Sequence, residues 1–119
     1  MDRIGTRRIF QLRVGLSPLK AHKMAHNFAD TPVSTCHCLL GPENSLHFLL
    51  KCPDYNNERC KLFEILNPIL TKNDLVNLSD PLLVQLLLYG NRKNTASENK
   101  VILKATIDFI NKTGRFDRL

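Results

Sequence analysis

Apolar side chains in this chain recur at helical rather than strand spacing. In residues 3–14, RIGTRRIFQLRV, Ile4, Arg8 and Leu12 fall on one face, with Ile9 or Phe10 beside it. That predicts a helix, or a weakly helical arm, ended by Gly15. Ser17-Pro18 predicts a second helix to about Phe28, with Ser17 as cap and Pro18 in the first turn, where a missing N–H costs nothing. Residues 30–46 read as loop, turning at Gly41-Pro42. SLHFLLK is a short helical turn, broken at Cys52-Pro53. Asp54 is expected to cap a third helix with Tyr55, Leu62, Phe63 and Leu66 as its stripe, and Asn67-Pro68 to stop or kink it. Asp80 as cap, Pro81 and Gly90 bracket a helix that is apolar nearly all round. It must be buried inside this chain or against a neighbour. Thr95-x-x-Glu98 is a capping box for a last helix ended by Gly114.

No stretch alternates like a strand and no segment repeats. The expected fold is therefore all-α: one small domain of four to five helices with a single irregular Cys/His loop. Its parts would be a basic helical arm (1–29), the Cys/His loop (34–53) and a helical region (54–119).

Charge changes this picture at one end. The chain carries 17 basic and 11 acidic residues, a net charge of +6. Residues 1–29 hold Arg3, Arg7, Arg8, Arg13, Lys20 and Lys23 against Asp2 alone, and the remainder is nearly balanced. A basic N-terminal third suits an anionic partner such as nucleic acid, or simply a solvated helix face. The N-terminus lacks the apolar core of a signal peptide, and no apolar run approaches the ~20 residues of a membrane helix. The expectation is an intracellular protein, nuclear or cytoplasmic, with reduced or metal-bound cysteines and no membrane partner.

Three of the four cysteines fall between Thr35 and Cys52. The spacing Cys36-x-Cys38-x8-His47-x4-Cys52 offers three thiols and an imidazole, a complete tetrahedral set for zinc. The alternative is a loop with incidental thiols. His47 and Cys52 would splay about 140° apart on a regular helix, and Pro53 is expected to let the chain turn back. Cys-x-Cys needs a bend at His37, itself expected to be an exposed bystander. Cys60 lies off the helix stripe and reads as a spectator, although it could substitute for Cys36. His22 and His26, four apart, read as the wet side of a basic helix rather than a metal pair. The FADT stretch (28–31) has one aspartate and cannot supply two-metal chemistry. Phe10, Phe28 and Phe48 are expected in the core rather than stacked on bases. No nucleophile–base pair, phosphate loop or carboxylate dyad marks an enzyme.

The string LRVGLSPLKAHKMAHNFADTP, the C-x-C, HFLLKCP, LLYG and ATIDFINKTGRF together resemble the C-terminal tail of non-LTR retrotransposon polyproteins, downstream of the reverse transcriptase. The resemblance spans roughly Arg7 to Phe116. It implies that Cys36, Cys38, His47 and Cys52 are zinc ligands. That family often has glycine directly after the second cysteine, where this chain has Leu39. No polymerase or endonuclease residues precede Met1, so the expectation is a fragment or truncated copy of such a transposable element, without polymerase activity. The implied function is nucleic-acid binding. Arg7, Arg8, Arg13, Lys20 and Lys23 would contact RNA or DNA phosphates without reading sequence. The alternative is an interaction module that docks on a polymerase domain or on another copy of the chain.

Overall fold

The computed structural model describes residues 3–25 and 34–117. It is all-α, as expected. Among the described residues five α-helices follow in order: α1 (Arg3–Val14), α2 (Lys20–Ala25), α3 (Asn56–Lys72), α4 (Asp80–Tyr89) and α5 (Ala96–Thr113). A π turn, His47–Lys51, and two 3₁₀ turns, Pro53–Tyr55 and Arg115–Asp117, complete them. Among the described residues there is no strand, only an isolated bridge between Thr35 and Pro42.

The centre is α5. The Thr95 hydroxyl accepts the Glu98 N–H while the Glu98 carboxylate accepts the Thr95 N–H, and Gly114 ends the helix in the left-handed conformation. Helices α1, α3 and α4 all pack against α5. Ile102, Ile107, Phe109 and Ile110 are buried between them. The buried Thr106 hydroxyl donates back to the Ile102 carbonyl at 2.9 Å, so it is not left unpaired in the core.

Three local expectations are corrected. First, α3 neither stops nor breaks at Pro68 but runs on to Lys72. Its buried positions are Arg59, Leu62, Leu66 and Leu70, and Pro68 lies on the exposed side with Glu64. Water can take the Glu64 carbonyl that proline leaves without a donor, while the buried stripe holds the helix on course. Second, α1 is rotated from the expected face. It buries Gly5, Ile9 and Leu12 and leaves Ile4 and Phe10 more than half exposed, so Phe10 is not a core residue. Third, caps shift: Ser79, not Asp80, precedes α4, Tyr55 rather than Asp54 precedes α3, and α2 begins at Lys20, beyond Ser17-Pro18. The apolar α4 is buried within this chain through Leu86, Leu87 and Leu88, with Leu82 and Tyr89 on its open side. His26, Phe28 and the FADT stretch lie outside the described residues.

Candidate metal centre

The four ligand candidates come together through two local devices. The first is a tight reversal over 34–43. Ser34 accepts the Glu43 N–H at 2.7 Å, and Gly41 accepts the Cys36 N–H at 2.9 Å. The Cys36 carbonyl accepts the Leu39 N–H, closing a four-residue turn that supplies the bend Cys-x-Cys requires. Leu39 takes φ 66°, the left-handed region. That is the position at which glycine would be free of steric penalty.

The second device is the π turn. The Cys52 N–H donates to the His47 carbonyl at 2.7 Å, an i→i+5 bond. A π turn is wider than an α turn, so the residue five positions on returns towards the starting face. The splay of a regular helix is thus removed by the turn itself. Pro53 contributes as expected, holding Cys52 extended at φ −60°, ψ 121°. Asn44 starts the segment: its side-chain carbonyl accepts the His47 N–H at 2.8 Å.

The outcome is a compact donor set. Cys36 Sγ and Cys52 Sγ are 3.8 Å apart, and Cys38 Sγ and His47 Nε2 are 3.1 Å apart. All four ligand atoms lie within 4.8 Å of one another and could hold a metal ion. A tetrahedron with metal–sulfur bonds of about 2.3 Å has sulfur–sulfur edges of about 3.8 Å, so the donor set fits. Cys36, His47 and Cys52 are buried and Cys38 is half-buried.

Burial sets the electrostatics. It raises the Cys36 thiol and pushes Cys52 up to about 12. Burial, with the Arg59 charge nearby, lowers the imidazolium of His47. A cation among these donors reverses the thiol preference, because thiolates are then paired and the neutral imidazole is ready to ligate.

Two supporting side chains escaped the sequence reading. Arg59, on α3, donates to the carbonyls of Phe48, Leu49 and Cys52 at 2.9–3.1 Å, and to Asn56. It therefore satisfies the open end of the π turn. Glu43 is 1 % exposed and receives two bonds of 2.7 Å from Arg115. The same carboxylate accepts the Lys20 N–H at 2.8 Å from across the chain, beside the Ser17 hydroxyl, which accepts the Leu19 N–H at 3.2 Å at the entry to α2. Burial would raise the Glu43 carboxyl, but Arg115 and the Lys20 N–H outweigh it and hold it below its usual range. Phe48 is fully buried, its ring 5.3 Å from Tyr55 and 5.4 Å from Phe109, and locks the ligand loop onto α5.

His37 and Cys60 are exposed and outside the donor set. His22 is not simply a wet surface residue: Ser17 Oγ lies 2.6 Å from its Nδ1 and Ser45 Oγ 3.4 Å from its Nε2.

The basic side chains divide by role. Arg8 binds Asn111 and Asp117, and Arg13 donates to the Leu88 carbonyl at the end of α4 while lying over Tyr89. Both join α1 to the rest of the fold. Arg7 is exposed, and it lines an open groove with Lys23. The Lys20 side chain is half-buried. Among the described residues, no helix is long and apolar enough to cross a membrane. Comparison with known protein families, curated proteins and solved structures gives no match.

Proposed function

We propose that this chain is a zinc-stapled, non-catalytic nucleic-acid-binding module of the kind that ends a retrotransposon reverse transcriptase. The observation that carries it is the convergence of Cys36, Cys38, His47 and Cys52 beside a basic N-terminal pair of helices. Three thiolates and an imidazole favour zinc over magnesium or calcium. Bound there, zinc supplies a cross-link, a folding contribution on the order of 10 kcal/mol. The loop so fixed carries Glu43, which accepts the Lys20 N–H at the start of α2 and holds Arg115, and so steadies the helix that carries Lys20 and Lys23. Arg7 and Lys23 then face an open groove and are available to phosphates. The string of residues from Arg7 to Phe116 supports the retroelement origin.

Filter binding of RNA and DNA across a salt series tests this reading. Zinc-loaded protein should bind both, with affinity falling steeply as salt rises. Affinity indifferent to salt, or no binding with zinc loaded, would overturn it.

The exposed Ile4, Phe10 and Val14 on α1 favour a second reading, docking on a polymerase domain or another copy of the chain. A strictly monomeric protein by light scattering, up to high concentration, would remove its self-association arm.

A further inference from the structure

We propose that the groove between α1, the link into α2 and the last 3₁₀ turn seats one nucleotide of a single strand, its phosphate at Arg7 and Lys23 and its base on Leu16 and Phe116. This rests on the nucleic-acid reading and narrows it to a site and a strand state.

The groove measures about 500 Å³. Its lining includes Ile4, Arg7, Arg8, Leu16, Lys23 and Phe116, and among the described residues no carboxylate side chain lines it. Arg8 is neutralised by Asp117 at 2.6 Å. Arg7 and Lys23, on separate helices, make no ion pair or side-chain hydrogen bond among the described residues. Two unspent cations therefore flank one concavity, and their charge complements an anion.

Gln11 and Ser17 add two uncharged polar groups, and Ile4, Leu16, Pro18 and Phe116 make the rest of the lining apolar. Gly15 at φ 73° and the Leu16 N–H donating to the Gln11 carbonyl at 2.9 Å form a glycine-ended helix cap. Leu16 in such a cap usually packs back on its helix, yet here it is 52 % exposed, and Ile4 is 62 % exposed. Phe116, half-buried against Phe48 at 5.7 Å, adds an aromatic ring whose position is fixed by the core.

Cations alone would take any polyanion. An apolar and aromatic lining between them gains nothing from duplex phosphates or from a carboxylate polymer, whose faces are polar. An unstacked base offers the missing apolar surface, tethered to its own phosphate through a single sugar. A single strand thus satisfies both parts of the groove.

Fluorescence anisotropy on the zinc-loaded full chain tests this with three labelled probes: a short oligothymidylate, an abasic strand of equal length and charge, and a duplex. The oligothymidylate should bind about tenfold tighter than the abasic strand. Arg7→Ala and Lys23→Ala should each flatten the salt dependence by about one phosphate contact. Leu16→Ser should erase the preference over the abasic strand and leave the salt slope intact. Circular dichroism confirms that each variant is folded. Equal binding of abasic and base-bearing strands, equal displacement by polyglutamate, or groove variants that bind as the parent does would overturn the groove while nucleic-acid binding stands. Failure of all three probes to bind at low salt would overturn both.

Discussion

Glu43 and Arg115, 72 positions apart, meet in a buried bidentate pair, with Nε–Oε2 and Nη2–Oε1 both 2.7 Å. Arg115 also donates to the Pro18 carbonyl at 2.9 Å. One ion pair thus joins the ligand loop, the start of α2 and the chain beyond α5. Removing one partner strands the other charge in the interior, so Arg115→Met should destabilise the zinc-loaded protein by about 3–5 kcal/mol. The double variant Arg115→Met with Glu43→Gln should lose less than the two single losses summed. Urea midpoints of the four proteins check this.

Arg59 is the buried cation beside the donor set, bonded to the Cys52 carbonyl at 2.9 Å. Three thiolates and an imidazole around a divalent ion carry one net negative charge, which Arg59 balances. Arg59→Met should weaken zinc affinity by about 10–100-fold, and Arg59→Lys should recover only part, because one ammonium cannot span the carbonyls of Phe48, Leu49 and Cys52. Competition with a chromophoric chelator measures both.

Leu39 is 79 % exposed and left-handed, so its side chain contributes little packing to offset its backbone cost. Leu39→Gly should raise stability by about 0.5–1 kcal/mol, the steric relief of roughly 1–2 kcal/mol being partly offset by a freer unfolded chain. Leu39→Val should lower it, since a β-branched side chain fits this region worse. Thermal melts of the three zinc-loaded proteins rank them.

The parts of this fold legible in the sequence are those encoded by near neighbours. Thr95 and Glu98 are three apart, Gly114 and Gly90 act on their own helix ends, and the four ligand residues lie within one short stretch. What was not legible depends on distant partners. Proline at 68 reads as a stop until the buried Leu66 and Leu70 on either side outweigh it. Nothing local marks Arg59 or Arg115, because the backbone carbonyls and Glu43 that surround them come together only in the folded chain. The face of α1 is not legible from its apolar residues, because Gly5, Ile9 and Leu12 turn inward while Ile4 and Phe10 stay exposed. The wider π turn could not be read from His47-x4-Cys52, since the same spacing suits a broken helix.

Glu98 gives the fold a pH signature away from the ligands. Its carboxyl is pulled down to about 2, first by the Thr95 N–H and then by Lys72 and Asn73. A depressed folded-state value stabilises above the ordinary 4.5 and is lost as pH falls towards 2. Glu98→Gln should therefore be less stable than the parent at neutral pH, with the gap shrinking below about pH 4.5. Urea midpoints of both proteins against pH report the gap, and a constant gap would contradict it.

Cys36, Cys38, His47 and Cys52 are proposed to act together on one ion, and cobalt substitution tests that most directly. The reduced chain should take up one Co²⁺ with the intense visible bands of a tetrahedral thiolate site, and Zn²⁺ should displace it. Cys38→Ser, Cys52→Ser and His47→Ala should weaken or alter those bands, while Cys60→Ser and His37→Ala leave them unchanged. A six-coordinate spectrum, or bands that survive Cys52→Ser and vanish in Cys60→Ser, would contradict the donor set.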